Sequence, residues 1–166
     1  NRNQIAGGGR DSIGLNPLHP EIRAAFDAWL EDLLKRYGNL PAFRGIDIQL
    51  SEMSNLFCFP SEYSGYDDYT IVLFEKETGI KTPGEAPDPE RFKKRYEWIR
   101  NNCWIKWLEW RSDRITQILY DIEQKVHAYR KDLNVDFELY NFWLQLLDEA
   151  NRGNFTLCLL TVISYC

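Results

Sequence analysis

The sequence is short of the features that usually reveal a function at sight. Its four cysteines, Cys58, Cys103, Cys158 and Cys166, stand far apart with no C-x-x-C pair. Neither a zinc site nor a dithiol redox site is expected, and the thiols read as core residues. The two histidines, His19 and His127, have no cue linking them to Ser51, Ser54 or Ser61. No serine–histidine nucleophile, metal or cofactor is therefore expected. Positive charge is not in excess: the formal net charge is −5, spread along the chain. That gives no footprint for a phosphate backbone, so nucleic acid is excluded as an expected partner. The one basic cluster, Arg91, Lys93, Lys94 and Arg95, is interleaved with Glu90 and Glu97 and reads as a solvated helix face.

Other absences narrow the choice further. The longest apolar run, Phe155 to Cys166, has twelve residues, against roughly 20 for a spanning helix. No membrane span is expected. Gly7, Gly8 and Gly9 follow no strand, so they are not a nucleotide cradle. The chain opens on Asn1 with no charged-then-apolar leader and stops within the apolar run. Both ends lead to the expectation of an internal piece of a longer protein.

What is present is core material: 44% hydrophobic and 14% aromatic residues in a chain of 166, enough for one domain. Residues 1–18 read as loop. Pro20 and Glu21 then suit the first turn of a helix, and Ile22, Ala25, Phe26, Trp29, Leu30, Leu33, Leu34 and Tyr37 form a stripe of period 3.6 that ends at Gly38. The run Phe43–Leu50 predicts a strand, followed by a long loop from Ser51 to Gly65. A second helix is predicted from Asp67 or Asp68 to Gly79, with Asp67 or Tyr66 as cap. Glu90–Lys131 predicts one or two long helices with a break near Asn101–Asn102. Trp98, Trp104, Trp107 and Trp110 fall at helical spacing there and read as packing. Val135–Tyr140 predicts a second strand, Phe142–Ala150 a short helix, and the last dozen residues a third strand. Helices and strands in alternation indicate an α/β fold with a parallel sheet.

Several phrases occur together and in order: Asn16-Pro17-Leu18-His19-Pro20-Glu21, Gly45-Ile46-Asp47, Gly65-Tyr66-Asp67-Asp68 and Phe74-Glu75-Lys76-Glu77-Thr78-Gly79-Ile80. Arg91-Phe92, Arg95-Tyr96-Glu97-Trp98, Trp107 and Trp110-Arg111 extend the series. Over about residues 16–140 the chain resembles the family-10-like glycosyl hydrolases, carbohydrate-active proteins of bacteria. The resemblance implies a (β/α)8 TIM barrel, of which this chain would supply two to three βα units as a single partial barrel domain over 1–166. A whole barrel takes about 250 residues. Recognisable units would span 19–140, with 141–166 a tail of uncertain origin. The resemblance also implies a carbohydrate substrate and an exported parent protein, and leaves the oligomeric state open.

Glycoside hydrolysis commonly uses two carboxyl groups about 5 to 9.5 Å apart, which in a barrel sit at strand C-termini. Glu52, two residues beyond the first strand, and Glu138, near the end of the second, are the best-placed candidates for acid/base and nucleophile in unassigned order. Asp47 and Asp136 lie earlier on the same strands, where an inward carboxylate needs a partner. Tyr66, Asp67, Asp68 and Trp143 are candidates for sugar contact. Each has a plainer alternative, helix capping for the aspartates and packing for the aromatics. The expected function is that of part of a glycoside hydrolase-like barrel acting on O-glycosidic bonds. The alternatives are a carbohydrate-binding barrel without catalysis and an inert structural piece.

Overall fold

The computed structural model describes residues 15–50 and 64–139, the last two of them by backbone alone. The predicted helix at 142–150 and strand at 155–166 lie outside these residues, as does most of the loop after the first strand.

Chain order is α1 (Pro20–Tyr37), β1 (Gly45–Leu50), α2 (Asp68–Thr78), α3 (Arg91–Asn102), α4 (Trp104–Tyr129) and β2 (Asn134–Leu139). α1 starts where the sequence indicates. His19 is its N-cap, accepting from the Glu21 amide, Pro20 occupies the first turn, and Lys35 and Arg36 lie at the negative C-terminal end. Its buried stripe is narrower than the pattern predicts. Phe26, Leu30 and Leu34 are buried, but Trp29 is 56% exposed and Tyr37 46%. Among the described residues the helix is covered along one line only, so flanking apolar positions stay open. Gly38 ends α1 in a right-handed conformation, with its N–H on the Leu34 carbonyl. Glycine is needed there for space, because a Cβ would run into the Tyr129 ring and the Leu34 carbonyl.

β1 and β2 are neighbours and parallel, in the register Gly45↔Asn134 through Leu50↔Leu139. The crossover between them is α2, α3 and α4, as a parallel pair requires. Side chains alternate across the sheet. Ile46, Ile48, Leu50, Val135 and Phe137 belong to the helix-covered core, whereas Asp47, Gln49 and Asp136 are exposed on the other face.

The core lies between that apolar face and the helices. Phe74, Ile99, Trp107, Ile122 and Val126 are wholly buried. Trp107 stacks between Tyr66 (5.2 Å) and Trp110 (5.3 Å) and meets the Phe74 ring edge-on at 5.0 Å. Such pairs contribute about 0.5–1.5 kcal/mol each beyond area burial. The tryptophans at helical spacing are thus packing: Trp98 and Trp104 rest partly buried on the same cluster. The break in the long helical stretch falls at Cys103, whose φ of −150° interrupts the helix while its N–H still reaches Ile99.

At the strand starts, Arg130 donates to the carbonyls of Gly38, Leu40 and Phe43, and its Nε pairs with Asp132 at 3.0 Å. The Asn134 amide donates to the Arg44 carbonyl at 2.9 Å. This clasp joins residues about ninety positions apart and fixes where the two strands begin together.

Candidate active site

Because β1 and β2 run side by side, their C-terminal ends form one edge. Glu138 occupies the rung opposite Gln49, one step before the last pair, on the face that carries Asp136 and Asp47. Glu52 and Trp143 lie outside the described residues. Glu52 follows Leu50, the last residue of β1, by two positions in the sequence. Asp47 and Asp136, directly opposed in the register, are exposed.

At the start of α2 three of the expected sugar contacts stand together. Asp67 is the N-cap of α2. Its carboxylate accepts from the Thr70 amide at 3.1 Å, from the Thr70 hydroxyl at 2.7 Å and from Asn16 Nδ2 at 3.1 Å. Asn16 also donates to Thr70 Oγ1 at 2.8 Å and accepts from the Leu18 amide, so the segment before α1 is tied to the start of α2. Tyr66 is buried, its ring stacked on Trp107 and edge-on to Tyr96. Asp68 is bound by two arginines: Arg91 through Nε (2.9 Å) and Nη2 (3.0 Å), and Arg95 through Nη1 (2.7 Å). The hydrogen bond from Arg91, joined by that from Arg95 and by their charge, holds the Asp68 carboxyl below the usual carboxylate range.

Arg95 corrects the reading of the basic cluster as a solvated face. It is only 6% exposed, and Nη1 also donates to the Tyr66 carbonyl at 3.0 Å. A buried guanidinium needs such partners, and only tertiary contact with α2 supplies them. Lys93 and Lys94 do remain exposed. Arg111, also buried, lies 5.9 Å from the centre of the Trp107 ring.

Two residues of this edge, Arg95 and Gln49, were not among the expected site residues. Arg95 carried a signal, since it stands one turn before Ile99 on the core side of α3. Gln49 carried none until the register was known. The histidines make structural contacts: His19 caps α1 beside the Tyr69 ring, and His127 Nε2 lies 3.1 Å from the Leu133 carbonyl near the strand starts. Among the described residues no group of three or more His, Cys, Asp or Glu could hold a metal ion, and no helix is long and apolar enough to cross a membrane.

Comparison with known proteins agrees with the motif series. No curated protein and no solved structure matches the chain. The model of the glycosyl hydrolase-like 10 family matches residues 2–149, well over half of the sequence and including every described element, and the chain therefore belongs to that family.

Proposed function

We propose that this chain is part of a (β/α)8 barrel that hydrolyses O-glycosidic bonds of a poly- or oligosaccharide, with Glu52 and Glu138 as acid/base and nucleophile in unassigned order. The observation that carries this reading is the register of β1 and β2. Glu138 stands at the C-terminal end of a strand whose neighbour ends two residues before Glu52, on the sheet face turned away from the helices. In a barrel that face is the interior, and its C-terminal end is where chemistry is done. Neighbouring strands lie about 4.8 Å apart, which makes a carboxyl separation of about 5 to 9.5 Å attainable.

In this reading Trp143 offers a stacking surface just after β2, while Tyr66, Asp67 and Asp68 line the stem where the chain enters α2. Asp68, 49% exposed, keeps one side available to a sugar hydroxyl, whereas Tyr66 supports the stem from beneath. The test is Glu52→Gln and Glu138→Gln in protein carrying the complete barrel, assayed by reducing-end release from a panel of polysaccharides. Turnover falls by about 1,000-fold in each, with the melting temperature unchanged. Full turnover in either variant removes that residue from the mechanism. Saccharide binding by the parent without any reducing-end release overturns hydrolysis in favour of a carbohydrate-binding barrel.

A further inference from the structure

We infer that Arg91 is a positioning residue for a neutral saccharide: it fixes the Asp68 carboxylate so that one acceptor site on Oδ2 stays open to a sugar hydroxyl. The inference rests on the carbohydrate-active reading given above and names the contact within its stem.

Acceptor sites separate the three stem residues. A carboxylate has about four of them, two on each oxygen. On Asp67 they are all filled, by the Thr70 amide and hydroxyl and by Asn16 Nδ2 on both oxygens (3.1 and 3.2 Å). Tyr66 is buried in the aromatic stack. On Asp68, Oδ1 takes both Arg91 Nε and Arg95 Nη1, while Oδ2 takes only Arg91 Nη2. The remaining site, on Oδ2, meets no donor among the described residues, and the side chain is 49% exposed.

Arg91 is itself held. Nη1 donates to the Asp88 carbonyl at 3.1 Å, and the guanidinium lies 4.2 Å from the centre of the Phe92 ring. Its two parallel bonds to Asp68 therefore set the carboxylate plane, which a lysine cannot do. Beside the open acceptor, Arg91 Nη2 has a second N–H with no acceptor among the described residues. An acceptor next to a donor suits a hydroxyl-bearing ligand. The charges choose its class: Asp67 and Asp68 balance Arg91 and Arg95, so neither an acidic nor a basic sugar is favoured over a neutral one.

The test is calorimetric titration of protein carrying the complete barrel with cellohexaose, xylohexaose and maltohexaose, and with hexagalacturonate and the glucosamine hexamer as charged counterparts. A neutral probe binds tightest. Arg91→Lys weakens that binding about tenfold, the loss of one charge-assisted hydrogen bond. The charged groups facing Asp68 are Arg91 and Arg95, so the acid limb of binding, set by Asp68 protonation, moves to higher pH in Arg91→Lys. A merely structural role for Arg91 would give no such limb, and Arg130→Ala, altered at the opposite end, keeps the parent affinity. A parent that binds none of the neutral probes, or prefers a charged one, overturns the inference, as does unchanged affinity in Arg91→Lys. Should that variant not fold, unchanged affinity in Asp68→Asn overturns it equally. No turnover enters the measurement: hydrolysis with unmoved affinity in Arg91→Lys sinks this inference alone, and binding without hydrolysis sinks only the catalytic reading.

Discussion

The two ends of the βαβ unit are built from different materials. At the strand starts Arg130 holds main-chain carbonyls of Gly38, Leu40 and Phe43, and a backbone bond from Asn134 to Arg44 completes the joint. At the opposite end side chains hold one another: Arg91 and Arg95 on Asp68, Asn16 and Thr70 on Asp67. α4 links them, running from Trp107 beside Tyr66 to Tyr129 beside Asn39, roughly 30 Å of helix. Carbonyl clasps depend little on which side chains surround them, and they suit an end whose task is to hold the strands in register. Side-chain pairs such as Asp68 with its two arginines depend instead on the identity and charge of each partner.

The largest test of this contrast is Arg130→Ala. It leaves three carbonyls without their charged donor and should cost about 2 kcal/mol of unfolding free energy, read by urea denaturation. Hydrogen exchange should accelerate at Asn134 and neighbouring strand amides while Ile71 and the start of α2 stay protected. Equal loss at both ends would erase the distinction between them.

Arg95→Met sharpens the comparison from the other side. The apolar replacement keeps the buried volume, and half-exposed Asp68 can be rehydrated, so the cost should be about 1 kcal/mol. Here exchange should quicken around Thr70 and leave the strand starts unchanged. A stability loss larger than that of Arg130→Ala would reverse the ranking of the two ends.

The smallest effect is acid dependence. Asp68 has its folded-state pKa lowered, chiefly by the hydrogen bond from Arg91. Its stabilisation is fully present above its unfolded value of about 3.9 and is lost as pH falls through the lower folded value. Because half of Asp68 faces solvent, screening keeps the contribution below about 1 kcal/mol. Comparing the parent with Asp68→Asn, the stability difference should shrink between pH 5 and pH 2. A constant difference would mean that the ion pairs with Arg91 and Arg95 contribute nothing that titrates.

Much of the framework was legible before any coordinates. The stripe from Phe26 to Leu34, the Asp67 cap, the Gly79 stop and the two alternating strands each depend on neighbours within a few positions, and α1, α2, β1 and β2 lie within a residue or two of their expected bounds. The helix break was expected near Asn101–Asn102 and falls at Cys103, the next residue. Trp29 and Tyr37 were placed with the core and are exposed, because periodicity marks an apolar side without fixing the width of its partner. Of the candidate site, the sequence offered Glu52, Glu138, Tyr66, Asp67, Asp68 and Trp143 as residue types near strand ends. It could not offer their neighbours.

By itself, then, the sequence determined the order and kind of elements, an α/β arrangement with parallel strands, and membership in a glycosyl hydrolase-like family, because propensity, capping and motif order are local properties. Tertiary structure alone decided that β1 and β2 are adjacent, that Gln49 and Glu138 share a rung of the sheet, and that Arg95 is buried against Tyr66 and Asp68. These partners stand 27 to 92 residues apart, as in Arg95 with Asp68 and Arg130 with Gly38. No local pattern encodes such pairings, and they form only when the packing of three crossover helices brings distant segments together.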